Sequence, residues 1–254
     1  MKKMKFLAIS AIALFSTMNV AMATGSTQIW IPSTDIQAFK TVHLGIDNYI
    51  RTQKQADGVI GAGIYDFGLT AGILPFQKIQ AEIGIDYLSM GDNVYDMQPI
   101  YFNAKVATPE NSIFKGSPAL AVGAYNFGIK TGLTNYNMIY GLVAKTIPIL
   151  GRLSAGYYFG NEALLLDENL NVSNSGLLLS WDRPMTEISD KLWLAVDYQG
   201  GQNYLGALNV GFSWAFSKNV SVIFGYDIYN NKNAFYNMNN TNANSFTTQL
   251  DINF

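Results

Sequence analysis

Charged residues in this chain recur at every second or fourth position inside otherwise apolar stretches. His43, Asp47 and Arg51 follow this spacing in one stretch, and Glu82 and Asp86 follow it in another. In an extended strand, such spacing places the side chains on one face. Carboxylates and bases on a shared polar face either pair with one another or set the charge preference of a water-filled conduit. The same parity rule selects the candidates for lining such a conduit: His43, Asp47, Arg51, Asp66, Glu82, Asp86, Lys105, Lys145, Arg152, Asp182, Asp197 and Asp227.

Catalytic or metal chemistry has little support in the residue types. His43 is the only histidine and there is no cysteine, so the usual donors of a zinc site are missing. No Gly-x-Ser-x-Gly turn is present. Glu82 and Asp86 share a face, but two like carboxylates on one strand are more often paired with lysines than used as an acid/base couple. Residues 167–169 match no complete calcium motif and favour a solvated acidic loop. We therefore expect no enzymatic activity, no metal and no cofactor.

The N-terminus has the pattern of an export signal. Three lysines among the first five residues precede the apolar run Phe6–Phe15, and Ala21-Met22-Ala23 supplies small residues for cleavage. The apolar run is much shorter than the ~20 residues that span a bilayer as a helix. We predict that residues 1–23 are a signal peptide, that residues 24–40 form a periplasmic lead-in, and that residues 41–254 form the domain that follows.

Residues 41–254 read as a succession of strands. The chain is 49% hydrophobic and 13% charged, against about 25% charged in a typical soluble domain. The stretch Lys78–Leu88 alternates most cleanly, with isoleucines on one face and polar residues on the other. We count twelve such segments, including Val59–Leu74 and Tyr95–Val106. The pattern is compatible with a barrel of ten to fourteen strands. Connectors alternate between short and long, except at Ala107–Ser117, where a long connector replaces a short one.

The last strand carries a recognisable resemblance. Phe246, Leu250, Ile252 and the final Phe254 fall on one parity and polar residues on the other. This pattern resembles the closing strand of bacterial outer-membrane β-barrels. The resemblance implies an all-β, closed antiparallel transmembrane β-barrel. It also implies contact with outer-membrane lipid, and recognition of these four residues as an assembly signal by the barrel assembly machinery.

Two functions are compatible with such a barrel. The first is a porin-like channel for small polar solutes or ions. The second is a non-conducting structural or adhesive barrel that acts through its outer loops, including the asparagine-rich loop 230–244. A net charge of −2 argues against a nucleic-acid partner. Twelve strands lie between filled eight-stranded barrels and wide porins. Glycines on the expected inner face favour a narrow pore: Gly45, Gly68, Gly72, Gly84, Gly141, Gly211 and Gly225.

Overall fold

A computed structural model describes residues 26–54, 58–233 and 243–254, and the predicted signal peptide lies outside these residues. Twelve antiparallel strands follow one another around a closed barrel, in which the first strand pairs with the last. This confirms the expected fold class and the count of twelve. The elements are β1 (Val42–Arg51), β2 (Ile64–Gly72), β3 (Gln80–Ser89), α1 (Asn93–Asp96), β4 (Ile100–Thr108), β5 (Ala119–Gly128), β6 (Asn135–Ile147), β7 (Gly151–Phe159), β8 (Ser175–Pro184), β9 (Leu192–Gln199), β10 (Ala207–Ala215), β11 (Val220–Tyr229) and β12 (Ser245–Asn253).

Alternation along each strand gives the barrel an apolar exterior. On β3, Ile83, Ile85 and Tyr87 point outward and are 41–52% exposed. Glu82 lies on the inward face of the same strand and is buried. Large apolar side chains are exposed in the same way on the neighbouring strands. Exposed apolar surface around a closed sheet, whose backbone groups are all paired, is typical of a barrel in lipid. Within the described residues, no helix has the length and apolar character needed to cross a bilayer.

Two strands begin five residues later than their apolar patterns predict. β2 begins at Ile64 rather than Val59. β4 begins at Ile100 rather than Tyr95, because the residues before it form the helical turn α1. The Asp92 carboxylate accepts the backbone N–H of Val94 at 2.8 Å and caps this turn. A side chain that satisfies the free N–H groups of a helix start favours helix over strand locally.

The connectors divide between two rims. β1 begins and β12 ends at the same rim, because His43 is paired with Asn253; we call this the terminal rim. Its connectors are residues 73–79, 109–118, 148–150, 185–191 and 216–219. The opposite rim carries, within the described residues, 52–54, 58–63, 90–99, 129–134, 160–174, 200–206, 230–233 and 243–244. The irregular long connector is therefore present at the terminal rim, and no strand is missing there.

Candidate pore and the segment inside it

The lumen of the barrel contains a segment of the same chain. Residues 26–41, which we call the luminal segment, fold back as a hairpin in which the Ser33 N–H donates to the Ser26 carbonyl at 3.0 Å. The Gln28 N–H donates to the Ile31 carbonyl at 2.8 Å and closes the turn. Ile29 and Ile31 are 1% and 0% exposed. Residues 26–37 of the expected periplasmic lead-in thus lie within the barrel, and residues 38–40 are exposed.

Polar groups of β9, β10 and β12 hold the tip of the hairpin. The Asp197 carboxylate accepts the backbone N–H groups of Ile29 and Trp30, at 2.8 and 3.0 Å. Asn209 donates to the other oxygen of Asp197 at 2.6 Å, and the Gln249 amide donates to the Ile29 carbonyl at 2.7 Å. A carboxylate that accepts several N–H groups forms strong charge-assisted hydrogen bonds. The tip is therefore fixed on this side of the lumen.

Trp30 extends the hairpin toward the opposite rim. Its indole N–H donates to the carbonyl of Leu205, in the connector of residues 200–206, at 2.9 Å. Its ring meets Tyr49 and Tyr229 edge-on, with centroids 5.1 and 5.9 Å apart. Such edge-to-face contacts stabilise a buried ring beyond the area it covers.

Arg152 joins the luminal segment to the wall near the terminal rim. One guanidinium nitrogen lies 2.7 Å from both carboxylate oxygens of Asp35. Its Nε lies 2.9 Å from the carboxylate of Asp182 on β8. Gln28 donates to the same Asp182 carboxylate at 3.1 Å. One cation thus bridges a carboxylate of the segment and a carboxylate of the wall.

A second ion pair, between β3 and β4, forms hydrogen bonds with the segment. Lys105 Nζ lies 3.1 Å from Glu82 Oε1, and each residue is 3% exposed. Glu82 also accepts the hydroxyl of Ser26 at 2.7 Å and the backbone N–H of Gln37 at 2.6 Å. Lys105 donates to the carbonyls of Ser26 and Ser33 at 2.9 and 3.3 Å. The segment therefore supplies hydrogen-bond donors to Glu82 and hydrogen-bond acceptors to Lys105.

Three interior glycines make room for the segment. A Cβ on Gly225 would lie 3.1 Å from Ile29 Cγ2, and one on Gly211 would lie 3.1 Å from Ile29 Cδ1. A Cβ on Gly72 would lie 2.1 Å from the Ala38 carbonyl oxygen. The luminal segment therefore packs directly against these three glycines.

A cavity of about 210 Å³ remains between the segment and the wall of β1–β6. Asp47, Asp66 and Asp86 border it from β1, β2 and β3. Its tyrosines come from β1, β5, β6 and a connector at the opposite rim: Tyr49, Tyr125, Tyr136, Tyr140 and Tyr204. The open volume of the lumen is therefore acidic on one wall and aromatic elsewhere.

Eleven of the twelve candidate lining residues lie on the inward parity. Besides those described above, His43 contacts Asn253 at 3.2 Å and Asp251 at 3.6 Å. Arg51 donates to the Ala243 carbonyl, and its guanidinium lies over the ring of Tyr229. Asp227 accepts the hydroxyl of Ser245 at 2.7 Å. The remaining inward candidates line the cavity or contact the luminal segment.

Lys145 is the exception, and its assignment to the lumen is corrected. It lies on the outward parity of β6 with Val143 and forms an ion pair of 2.7 Å with Glu110 of the connector at the terminal rim. Partial burial acts to raise the pKa of Glu110, but hydrogen bonds from Lys145 and Thr146 hold it below the usual value. Gly141 likewise faces outward. The error arises because the inner face of β6 is apolar, so polarity selects the wrong face.

The four assembly-signal candidates lie on the outward face or at the end of β12. Phe246 and Phe254 are exposed. Leu250 lies between Ile46 of β1 and Val222 of β11. Ile252 lies in the same way between Leu44 and Val220. These side chains belong to the lipid-facing surface where the barrel closes.

Two of the loops that the sequence singles out form local hydrogen bonds. Asp167 accepts the backbone N–H groups of Asn169 and Asn171, each at 2.8 Å, and so stabilises its own turn. At the start of the asparagine-rich loop, Asn230 donates to the carbonyls of Gln199 and Gly201, each at 2.9 Å. Residues 234–242 of that loop lie outside the described residues.

Sequence reasoning did not find the residues that occupy the lumen. Ile29 and Trp30 follow the predicted signal peptide and show no strand periodicity, so they carry no barrel signal. The available clue was the coincidence of this apolar stretch with glycines on inward positions of distant strands. Glycines there leave space for something other than the wall's own side chains.

Comparisons with known proteins give only distant similarity. No protein-family profile matches the chain, and no curated protein sequence matches it. An outer-membrane channel from Pseudomonas putida F1 is similar with 11% identity and a TM-score of 0.48, over 86% of this chain and 97% of that one. The NanC porin gives 10% identity and a TM-score of 0.47, over 83% and 98%. OmpF of Salmonella typhi, in a complex with daunomycin, gives 6% and 0.45, over 84% and 96%. Similarity this low transfers no activity.

Proposed function

We propose that this chain is an outer-membrane channel for small polar solutes or ions, and that the luminal segment is its gate. The observation that supports the proposal is the composition of the lumen. Its wall carries charged side chains, and the obstruction is a separate segment continuous only with β1. With the segment withdrawn, the charges of the wall would face water, where they cost little to solvate. The barrel would then enclose a polar conduit.

The contacts of the segment suit reversible closure. Its anchors are largely hydrogen bonds and ion pairs, such as those of Asp197 and Arg152, that water and the wall's other charges replace on opening. Its apolar part is small and centred on Ile29 and Ile31. A gate needs a closed state that is favoured by only a few kcal/mol. This balance of contacts meets that need better than a large apolar core would.

A non-conducting structural barrel is the second candidate. The buried pair of Glu82 and Lys105 favours it, because both residues contact the segment from the wall. Removing one partner of a buried ion pair typically costs about 3–5 kcal/mol. A segment held this firmly would act as a permanent prop of the barrel.

A reversible cross-link separates the two functions. The sequence contains no cysteine, so the double variant Ile29→Cys, Gly225→Cys forms one defined disulfide between hairpin and wall. A Cβ on Gly225 would lie 3.1 Å from Ile29 Cγ2, which is one bond beyond the Ile29 Cβ. The two Cβ atoms are therefore close enough to approach the ~3.5–4.5 Å that a disulfide requires. In planar bilayers, the oxidised variant should be silent and the reduced variant should show openings. Ile29→Cys alone, under the same redox cycle, is the control.

Removal of the segment supplies the deciding result. A chain that keeps the export signal but lacks residues 24–40 should conduct continuously. Folding is checked by the different gel migration of unboiled and boiled protein. A folded deletion variant that shows no conductance rejects the channel and supports the structural barrel.

A further inference from the structure

The three carboxylates of the cavity lie close together on neighbouring strands. Asp47 of β1 is directly opposite Asp66 of β2. Asp86 of β3 is opposite Gly68, which places it diagonally across from Asp66. A Cβ on Gly68 would lie 2.8 Å from an Asp86 carboxylate oxygen. The glycine therefore lets the Asp86 carboxylate lean over β2 toward the other two. We call this part of the cavity the acidic chamber.

In the part of the chain that the structure describes, these carboxylates lack counter-ions. No lysine, arginine or histidine nitrogen among the described residues lies within 4.0 Å of any of the three. Asp86 accepts one hydrogen bond from Asn103 at 2.7 Å. Asp47 and Asp66 each keep one buried carboxylate oxygen without a hydrogen-bond partner. Carboxylates removed from bulk water need a positive partner, and this wall provides none.

The nearest basic side chains are engaged with other carboxylates. Lys105, which borders the same cavity, is already paired with Glu82 at 3.1 Å. His43 faces Asp251 at 3.6 Å. The acidic chamber is therefore the part of the cavity lined by carboxylates that have no cation of the described residues within 4.0 Å.

The remaining lining suits an organic cation better than a metal ion. Tyr125 and Tyr140 meet edge-on at 5.7 Å, and Tyr136 lies 5.1 Å from Tyr204. Ring faces attract ammonium groups. The described residues contain no group of three acidic or histidine side chains arranged to hold a metal ion. A cavity of about 210 Å³ exceeds the share of one water molecule, about 30 Å³, and accommodates a short alkyl chain.

We infer that the acidic chamber binds small organic cations that carry primary ammonium groups. The ammonium group lies among Asp47, Asp66 and Asp86, and the alkyl part packs against the tyrosine rings. The inference concerns binding with the luminal segment in place, so it stands whether or not the barrel conducts.

The test uses calorimetry on the full chain in detergent, with 1,4-diaminobutane as the probe. 1,4-Butanediol, which has the same length and no charge, should not bind. Asp47→Asn, Asp66→Asn and Asp86→Asn preserve approximate size, and each should weaken diamine binding by about tenfold or more, because each removes a charge-assisted hydrogen bond. Glu110→Gln, which removes a carboxylate outside the lumen, is the matched control and should leave binding unchanged.

Two further measurements keep the result interpretable. The triple Asn variant should melt at a higher temperature than the wild type without ligand, because repulsion between like charges is removed. The oxidised Ile29→Cys, Gly225→Cys variant keeps all three carboxylates and should still bind the diamine, although Ile29 borders the cavity. Absence of diamine binding, equal binding of the diol, or undiminished binding by the triple variant would each overturn the inference. None of these results bears on conductance.

Discussion

Replacing Gly72 with alanine adds a methyl group whose three nearest atoms all belong to the luminal segment. The new Cβ would lie 2.1 Å from the Ala38 carbonyl oxygen and 2.2 Å from that of Gln37. Both distances are far below van der Waals contact, and both atoms are backbone. The segment must therefore shift, which also strains the hydrogen bond from the Lys40 N–H to the Gly72 carbonyl, now 3.0 Å.

The size of the effect follows from the cost of overpacking. An extra methyl group in a well-packed site typically costs about 1–3 kcal/mol. The strain acts on the closed state, where the segment is in place, and is relieved when the segment leaves. Because about 1.4 kcal/mol changes an equilibrium tenfold, the ratio of open to closed barrels should rise by roughly 5- to 150-fold.

Single-channel recording in planar bilayers measures this ratio as open probability. Gly141→Ala is the matched control, since a Cβ at this outward position meets no atom within 4 Å. Protease cleavage of the segment in the folded protein provides a second readout and should accelerate only for Gly72→Ala. If the two alanine variants have the same open probability and the same cleavage rate, the segment does not gate the lumen by the contacts described.

Two further predictions concern the hairpin tip and the closing strand. Asp197→Asn replaces a charged acceptor of two N–H groups and should weaken the closed state by about 1–3 kcal/mol. A red shift of the Trp30 fluorescence, absent in a Trp30→Phe background, would report this weakening. An unchanged spectrum would contradict the prediction. Leu250→Asp with Ile252→Asp places carboxylates on the lipid face, each costing up to about 2 kcal/mol, and should reduce the heat-modifiable form in membranes. The same positions changed to valine should assemble normally, and normal assembly of the aspartate variant would refute the lipid-facing assignment.

The strands were predictable because each carries its own evidence. Period-two alternation records which residues face lipid and which face the interior, and it needs no partner elsewhere in the chain. β3 was found almost to the residue for this reason. The rule fails on β6, whose inner face is built from Tyr136, Met138, Tyr140 and Leu142. Where both faces are apolar, alternation of polarity no longer indicates direction, and Lys145 was placed on the wrong side.

The contents of the lumen were not predictable by the same route. The contact of Ile29 with Asp197 joins residues 168 positions apart. The local sequence around either residue does not predict the other as its partner. Inward parity states that Asp197 faces the lumen, but it does not state whether it meets water, a cation or backbone N–H groups. That distinction requires the register of the whole barrel and the path of the segment.

The inward charges therefore divide into two groups that one parity rule cannot separate. Asp182, Asp197 and Glu82 are engaged with the luminal segment, whereas Asp47 and Asp66 keep buried oxygens without partners. The hairpin tip is held from β9, β10 and β12, and the acidic chamber lies against β1–β3. A ligand in the chamber consequently breaks none of the anchors at the tip. Cation binding and gating are thus separable by mutation, since Asp197→Asn acts on the segment and Asp66→Asn acts on the chamber.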